Sequence, residues 1–248
     1  MSLQGRFMTV LKKMTGREIV PSFCSTMMDW SLNNLKTGGF APRVALDLGA
    51  YQGEWTRLFT DIFPHASVLM VEPQEGQEEL LHAVLRDRPL CQYRRALLGR
   101  TNGVHVLFDI NNSASEIISS PEESRGQCIQ METKTLDSLV AGTPFEAPQI
   151  IKLDVQGCEL EVLHGGSRAL SSAEVVVMEA SVIGLIPYAP SFYDVMAFMH
   201  EHGFRLYDIC TFFRRPVDKA LWQLDLIFVR EASLLGAVSL GYEVHHNG

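Results

Sequence analysis

The sequence predicts an α/β fold: a doubly wound, Rossmann-like sheet, mostly parallel, with a C-terminal antiparallel hairpin strand and helices at the N-terminus. Three observations carry this. From about Arg43 onward, short apolar runs alternate with helical stretches, as crossovers that return over a parallel sheet require. The first run opens into a turn with glycines at 49 and 53. The second run ends on an acid, Glu72.

The elements follow in order. From about Leu3 to Lys36, Phe7, Val10, Leu11 and Met14, then Phe23, Met27, Trp30 and Leu35, recur near three and four, which reads as helix. Thr37-Gly38-Gly39-Phe40-Ala41-Pro42 breaks the pattern. Arg43 to Leu48 reads as a strand buried on both faces, Glu54 to Phe63 as a helix, Ser67 to Val71 as a second strand, Glu75 to Arg88 as a helix and Gln92 to Leu98 as a third strand. Two alternating segments, Val104 to Ile110 and Gln127 to Thr133, flank a Ser/Asn/Glu-rich loop and read as a β insertion over about 103–133. Gln149 to Asp154, Glu159 to Leu170, Ala173 to Glu179 and Ser191 to His202 resume the strand–helix alternation. Leu206 to Cys210 and Leu221 to Arg230 are placed to pair as a hairpin. The expected organisation is an N-terminal helical appendage (1–40), one domain (41–232) and a tail (233–248).

Composition narrows the function. The chain has 248 residues, 46% hydrophobic, with a net charge of −8, enough length for a sizeable core and no basic stripe for a phosphate backbone, so a nucleic-acid partner is not expected. Cys24, Cys91, Cys128, Cys158 and Cys210 lie far apart, without Cys-x-x-Cys spacing, and read as reduced thiols of a cytoplasmic protein. No apolar run is long enough to span a membrane, and no signal peptide is expected.

The chemistry concentrates at Asp47-Leu48-Gly49-Ala50-Tyr51-Gln52-Gly53. Glycine admits backbone geometries and close approach that a β-carbon blocks. Dinucleotide sites place a glycine where Asp47 stands, so that pyrophosphate can reach the helix N-terminus. A carboxylate there suits a cationic ligand such as an ammonium or sulfonium group, and argues against NAD. Glu72, nineteen residues past Gly53, is placed to accept hydrogen bonds from both ribose hydroxyls. Together these features read as adenosine without phosphates.

Val44-Ala45-Leu46-Asp47-Leu48-Gly49-Ala50-Tyr51-Gln52-Gly53-Glu54-Trp55-Thr56 and Val71-Glu72-Pro73 resemble the opening motifs of the FkbM-type S-adenosylmethionine-dependent methyltransferases. Thr135-Leu136-Asp137-Ser138-Leu139 is similar to that family's threonine-leucine-aspartate segment, and Ile151 to Gly166 to its most diagnostic stretch. The resemblance covers about Arg43 to Arg230. It implies an enzyme that methylates a hydroxyl of a sugar or secondary metabolite. It further implies that Asp47, Gly49, Ala50 and Gly53 line the methionine part of S-adenosylmethionine, that Glu72 holds the ribose, that Ala96 and Leu97 border the adenine, and that Tyr51 and Pro73 also belong to the cofactor-binding set. Tyr51 and Gln52 depart from the asparagine and small apolar residue common there, and Gln156 stands where glutamate is equally familiar.

Methyl transfer from a sulfonium needs alignment, water exclusion and a route for the acceptor proton. Asp154, at the tip of the fourth strand, is the first candidate for general base or metal ligand and also borders the cofactor. Lys152 shares its face if the strand runs that far. Glu159 and Glu179 could gather further acidic oxygens, Glu159 alternatively serving as a helix cap. Three carboxylates would suit Mg²⁺, although nothing else in the sequence demands a metal. Acceptor recognition is expected from the helices around Trp30, the loop Asn111 to Arg125, and Ile186-Pro187-Tyr188 with Phe192. His164 is expected to pack, and Met8, Met14, Met27 and Met28 to serve as core or dimer contacts. The partners expected are a small-molecule acceptor and a second copy of the chain. The competing reading is a non-catalytic cofactor-binding scaffold, which fold alone cannot separate from an enzyme.

Overall fold

The computed structural model describes residues 24–111, 115–183, 189–233 and 235, with side chains from 27 onward. The expectations for the helix before residue 24, Ser113-Ala114, Ile186-Pro187-Tyr188, and His245 and His246 lie outside the described residues. One eight-stranded sheet organises the chain. In chain order its strands are β1 (Cys24–Thr26), β2 (Val44–Leu48), β3 (Ser67–Val71), β4 (Cys91–Arg94), β9 (Ile150–Leu153), β10 (Val175–Ser181), β11 (Phe204–Arg214) and β12 (Leu221–Arg230). Their spatial order is β1-β11-β12-β10-β9-β2-β3-β4. The pairs from β4 through β3, β2 and β9 to β10 are parallel. The closing strand β12 inserts antiparallel between β10 and β11, and β1 adds an antiparallel edge.

Helices cover both faces. On one lie α1 (Met28–Thr37), α2 (Glu54–Ile62) and α3 (Glu78–Asp87), burying Leu32, Leu35, Phe59, Ile62, Leu81 and Val84 against Ala45, Val68, Met70, Val177 and Ile227. The other face carries α4 (Leu136–Val140), α5 (Glu159–His164), α6 (Ser167–Ser172) and α7 (Phe192–Glu201), packed on Leu46, Leu48, Leu153 and Met178. The buried runs Ala45–Leu48 and Ile150–Leu153 are continuous rather than alternating because both sheet faces are covered. Ser191 and Asp194 form a reciprocal capping box that starts α7.

Four details differ from the pattern reading. Cys24–Thr26 is a strand, not helix, since the edge of β11 offers its backbone partners there. The continuous helix expected from Glu159 to Leu170 is broken into α5 and α6 at Gly165-Gly166. A β-carbon on Gly165 would lie 2.3 Å from the carbonyl oxygen of Gly99, so the chain passes too close for any other residue. The run Gln92 to Leu98 divides between β4 and β5 (Leu97–Leu98), which leaves the main sheet. Finally, α1 shares the core of the domain: Leu32 and Leu35 are fully buried, each worth roughly 1.5–3 kcal/mol.

The β insertion forms a second sheet, β5-β8-β6-β7, from β6 (His105–Ile110), β7 (Glu116–Ile118) and β8 (Gln127–Lys134). The two segments expected to alternate pair antiparallel, His105 facing Glu132 and Ile110 facing Gln127. Buried Asp109 gathers the loop before β8, accepting from Ser124 Oγ (2.5 Å), Arg125 N–H (2.9 Å) and Gly126 N–H (3.1 Å).

Candidate active site

A cavity of about 230 Å³ opens at the carboxyl ends of β3, β2 and β9 and continues to β10 and β12. This is where an open α/β sheet receives ligands. The turn after β2 builds one wall. Gly49 has φ +75°, and a β-carbon on it would lie 1.9 Å from the carbonyl oxygen of Asp154. Its glycine is therefore required by the neighbouring backbone, not by ligand approach alone. Gly53, with φ +74°, starts α2 and packs against Val84 of α3, where a β-carbon would meet Cγ2 at 2.7 Å. It does not line the cavity.

Tyr51 adopts φ +47° and donates its N–H to Oε2 of Glu72 (2.8 Å), while Gln74 N–H donates to Oε1 (3.0 Å). Glu72 is thereby locked at the end of β3 with its carboxylate on the cavity wall. Burial raises its pKa, offset in part by these N–H groups. Pro73 continues that wall; Ala96 and Leu97, with Val71 and Leu98, give an apolar lining beside it.

Asp47 lies beneath the wall rather than on it. It is fully buried, accepts from Thr56 Oγ1 at 2.6 Å, and faces Lys152 across the β2–β9 pair. The Lys152 ammonium is 3.2 Å from Asp47 Oδ1 and 3.7 Å from Asp154 Oδ2, and donates to the Gly49 carbonyl at 2.9 Å. Burial works against this charge, but Asp47 and then Asp154 outweigh it and hold the ammonium above its ordinary range. Lys152 is thus a fixed cation, not a proton carrier. Asp154 reaches the cavity and accepts from Gln156 Nε2 at 2.7 Å.

Glu159 turns away. Its Oε1 accepts the N–H groups of Val155 and Gly157, both at 3.1 Å, tying the loop that carries Asp154. The helix-cap alternative is the nearer one, although the groups satisfied belong to the preceding loop. Burial pushes its pKa up to about 7, against the pull of these hydrogen bonds. The Mg²⁺ set of Asp154, Glu159 and Glu179 finds no support: Glu159 is committed to the loop, and no group of three or more His, Cys, Asp or Glu among the described residues could hold a metal.

Glu179 does line the cavity, and directly opposite it on β12 stands Asp225, a residue the pattern reading passed over. Its signal was an acid inside the apolar run Leu224 to Val229. Burial raises Glu179 well above the carboxylate range, with Asp154 and Asp225 adding to it. Burial, then Asp154, brings Asp225 up to about 6.

The insertion supplies Phe108, Ser115 and Ile117 to the cavity. The Cys158 thiol is pushed up to about 12 by burial, then by Glu159, Glu161 and Glu116. Ile117 of β7 lines the same cavity as Val155 and Cys158 of the loop after β9. Met28, expected as a core or dimer contact, also lines the cavity; Trp30 and Phe192 do not. Trp30 is 53% exposed and Phe192 packs against the core. His164 packs edge-on against Phe198. No helix among the described residues is long and apolar enough to cross a membrane.

A doubly wound sheet bearing acids along the carboxyl ends of adjacent strands, over one cavity, defines the class: a Rossmann-like methyltransferase fold. The chain belongs to the FkbM methyltransferase family, whose Methyltransferase FkbM domain matches residues 47–206. Among solved structures it is similar to a methyltransferase FkbM from Methylobacillus flagellatus KT, at 18% identity and a TM-score of 0.48, over 76% of this chain and 43% of that one. It is also similar to a precorrin-6y C5,15-methyltransferase from Geobacter metallireducens GS-15 (12% identity, 82% of this chain and 86% of that one, TM-score 0.46). A third similar structure is an O-methyltransferase family protein from Burkholderia thailandensis (9% identity, 82% and 55%, TM-score 0.46). The chain spans less than half the length of the first of these, 43%. No curated protein matches it.

Proposed function

We propose that the protein is an S-adenosylmethionine-dependent O-methyltransferase acting on a hydroxyl of a small molecule such as a sugar or secondary metabolite. The observation that carries this is the sequence of groups along one cavity: Glu72 at the end of β3, the Gly49 turn after β2, and Asp154 after β9. Glu72 fits the two hydroxyls of a ribose, with Ala96 and Leu97 as the apolar wall for a base. Gly49, Ala50 and Tyr51 stand beside the next strand, where the methionine part would lie. A carboxylate-lined pocket suits a sulfonium and an amino acid better than a pyrophosphate.

S-adenosylmethionine supplies an activated methyl group when bound. The remaining work falls to this chain. Asp154 holds the acceptor hydroxyl and takes its proton as the oxygen becomes nucleophilic. Lys152 orients Asp154 and anchors the Gly49 turn, so that base and cofactor wall keep one geometry. Phe108 and Ile117 exclude water from above.

The test is calorimetric titration with S-adenosylmethionine, S-adenosylhomocysteine and, as control, NAD⁺. Micromolar binding of the two adenosyl ligands alone, weakened by Glu72→Ala, supports the reading. Binding of NAD⁺ in preference to both, or no effect of Glu72→Ala, overturns it.

A further inference from the structure

The cavity does not stop at Asp154. Its polar groups follow the strand order, and the register gives their spacing. Leu48 pairs with Leu153, and Leu153 with Met178. One step further along these parallel strands come Gly49, Asp154 and Glu179. Glu179 is in turn the direct partner of Asp225 on antiparallel β12. Glu179 and Asp225 are thus paired across β10 and β12, and Gly49 and Asp154 follow the ends of the next two strands along the same cavity. Neighbouring strands are about 4.8 Å apart, so Glu179 stands roughly 5 Å, and Asp225 roughly 10 Å, beyond the Asp154 strand.

That extension lies beyond the groups assigned to the adenosyl ligand in the proposed function, since Glu72 and Gly49 lie on the opposite side of Asp154. It is also a built compartment. Met28 of α1 lines the cavity, its sulfur 3.8 Å from the Cys210 sulfur, and the Cys210 thiol donates to the Asp225 carbonyl at 3.3 Å. The N-terminal helix thus walls the Asp225 end. Val177, two residues before Glu179 on the same face, gives an apolar floor. Among the described residues Gln223 hydrogen-bonds Glu179 and Thr211 hydrogen-bonds Asp225, and a carboxyl group with one such partner keeps acceptor capacity for the cavity that both line. Two carboxyl groups side by side, with the Lys152 ammonium already engaged by Asp47, ask for a hydrogen-bond donor.

We infer that Glu179 and Asp225 form the acceptor subsite, a pair of facing carboxyl groups that binds an O–H or N–H donor of the methyl acceptor one to two strands beyond Asp154. The inference rests on the cavity being the adenosyl site described above. It makes Asp225 a specificity residue, and it favours acceptors carrying a second donor group near the methylated one, as in a polyol or an amino sugar. Two half-buried carboxyl groups facing each other across adjacent strands suit this role, since between them they offer several acceptor oxygens to one donor.

The test uses two nitrogen analogues of S-adenosylmethionine, in which nitrogen replaces sulfur and a 2-aminoethyl or an n-propyl arm replaces the methyl. The arms are the same length, and only the first ends in an ammonium. Titrated into the full-length protein, the aminoethyl analogue is expected to bind about tenfold more tightly, the size of one charge-assisted hydrogen bond. Asp225→Asn and Glu179→Gln are each expected to reduce that ratio severalfold while leaving the affinity for the propyl analogue unchanged, which also reports that the variants are folded. A ratio unaltered in both variants overturns the subsite alone. Failure of both analogues to bind the unmodified protein overturns the adenosyl reading, and the subsite with it.

Discussion

The ammonium of Lys152 lies 3.2 Å from Oδ1 of Asp47, on the neighbouring strand, and this contact makes Asp47 part of the scaffold beneath the site. Asp47 is fully buried and its other oxygen is taken by Thr56, so its influence on the cavity passes through Lys152 to the Gly49 carbonyl and Asp154. Removing the cation leaves a buried carboxylate without its counter-charge. Lys152→Met is expected to destabilise the protein by about 3–5 kcal/mol. Urea unfolding checks this, and the double variant Asp47→Asn/Lys152→Met should recover part of the loss because no charge is then stranded.

Glycine at 49 answers to two demands that can be separated. Gly49 and Gly39 both have positive φ, +75° and +94°, but only Gly49 faces a neighbour, the Asp154 carbonyl, while nothing lies within 4 Å of a β-carbon on Gly39. Gly39→Ala should cost about 1–2 kcal/mol, the penalty of the left-handed conformation. Gly49→Ala should cost distinctly more and weaken cofactor binding, since β2 and β9 must part. Equal costs in denaturant titration would show that the overlap relaxes freely.

The buried carboxyl of Glu159 makes a pH-dependent contribution. Its pKa stands at about 7 in the fold against 4.5 ordinarily, so the folded state holds its proton more tightly than the unfolded chain. Stability from this group is therefore fully present below pH 4.5 and is lost as pH rises toward 7, by about 3 kcal/mol in all. Glu159→Gln keeps an oxygen for the Val155 and Gly157 N–H groups and removes the titration. Relative to the unmodified protein, its melting temperature should gain between pH 5 and 7 and level off above that; parallel profiles would refute the assignment.

Asp154→Asn preserves shape and the hydrogen bond to Gln156 but removes the acceptor of a proton. Turnover, followed as release of S-adenosylhomocysteine across a panel of polyhydroxylated acceptors, should fall by about a hundredfold or more, with calorimetric affinity for S-adenosylmethionine little changed. Retained turnover would move the base to another group, and Glu179 would be the first to examine.

Much of this molecule is legible locally. Apolar runs ended by Gly49, Glu72 and Asp154 are short, unbroken and separated by amphipathic helices, and such runs have only one economical arrangement, a parallel sheet covered on both faces. Glu72, Gly49 and Asp154 were visible for the same reason: each ends or follows a strand, and the carboxyl ends of parallel strands all emerge along one edge. What only the tertiary structure decided is which distant groups share that edge. Asp225 reaches the cavity because β12 returns antiparallel between β10 and β11, and Met28 because α1 folds over the same end. The direction of a side chain is likewise set by its neighbours: Glu159 is spent on its own loop, and Asp47 on a lysine 105 residues away. Local periodicity fixes which face a residue takes, whereas strand order and ion pairing depend on contacts between segments that carry no mark of one another in the chain.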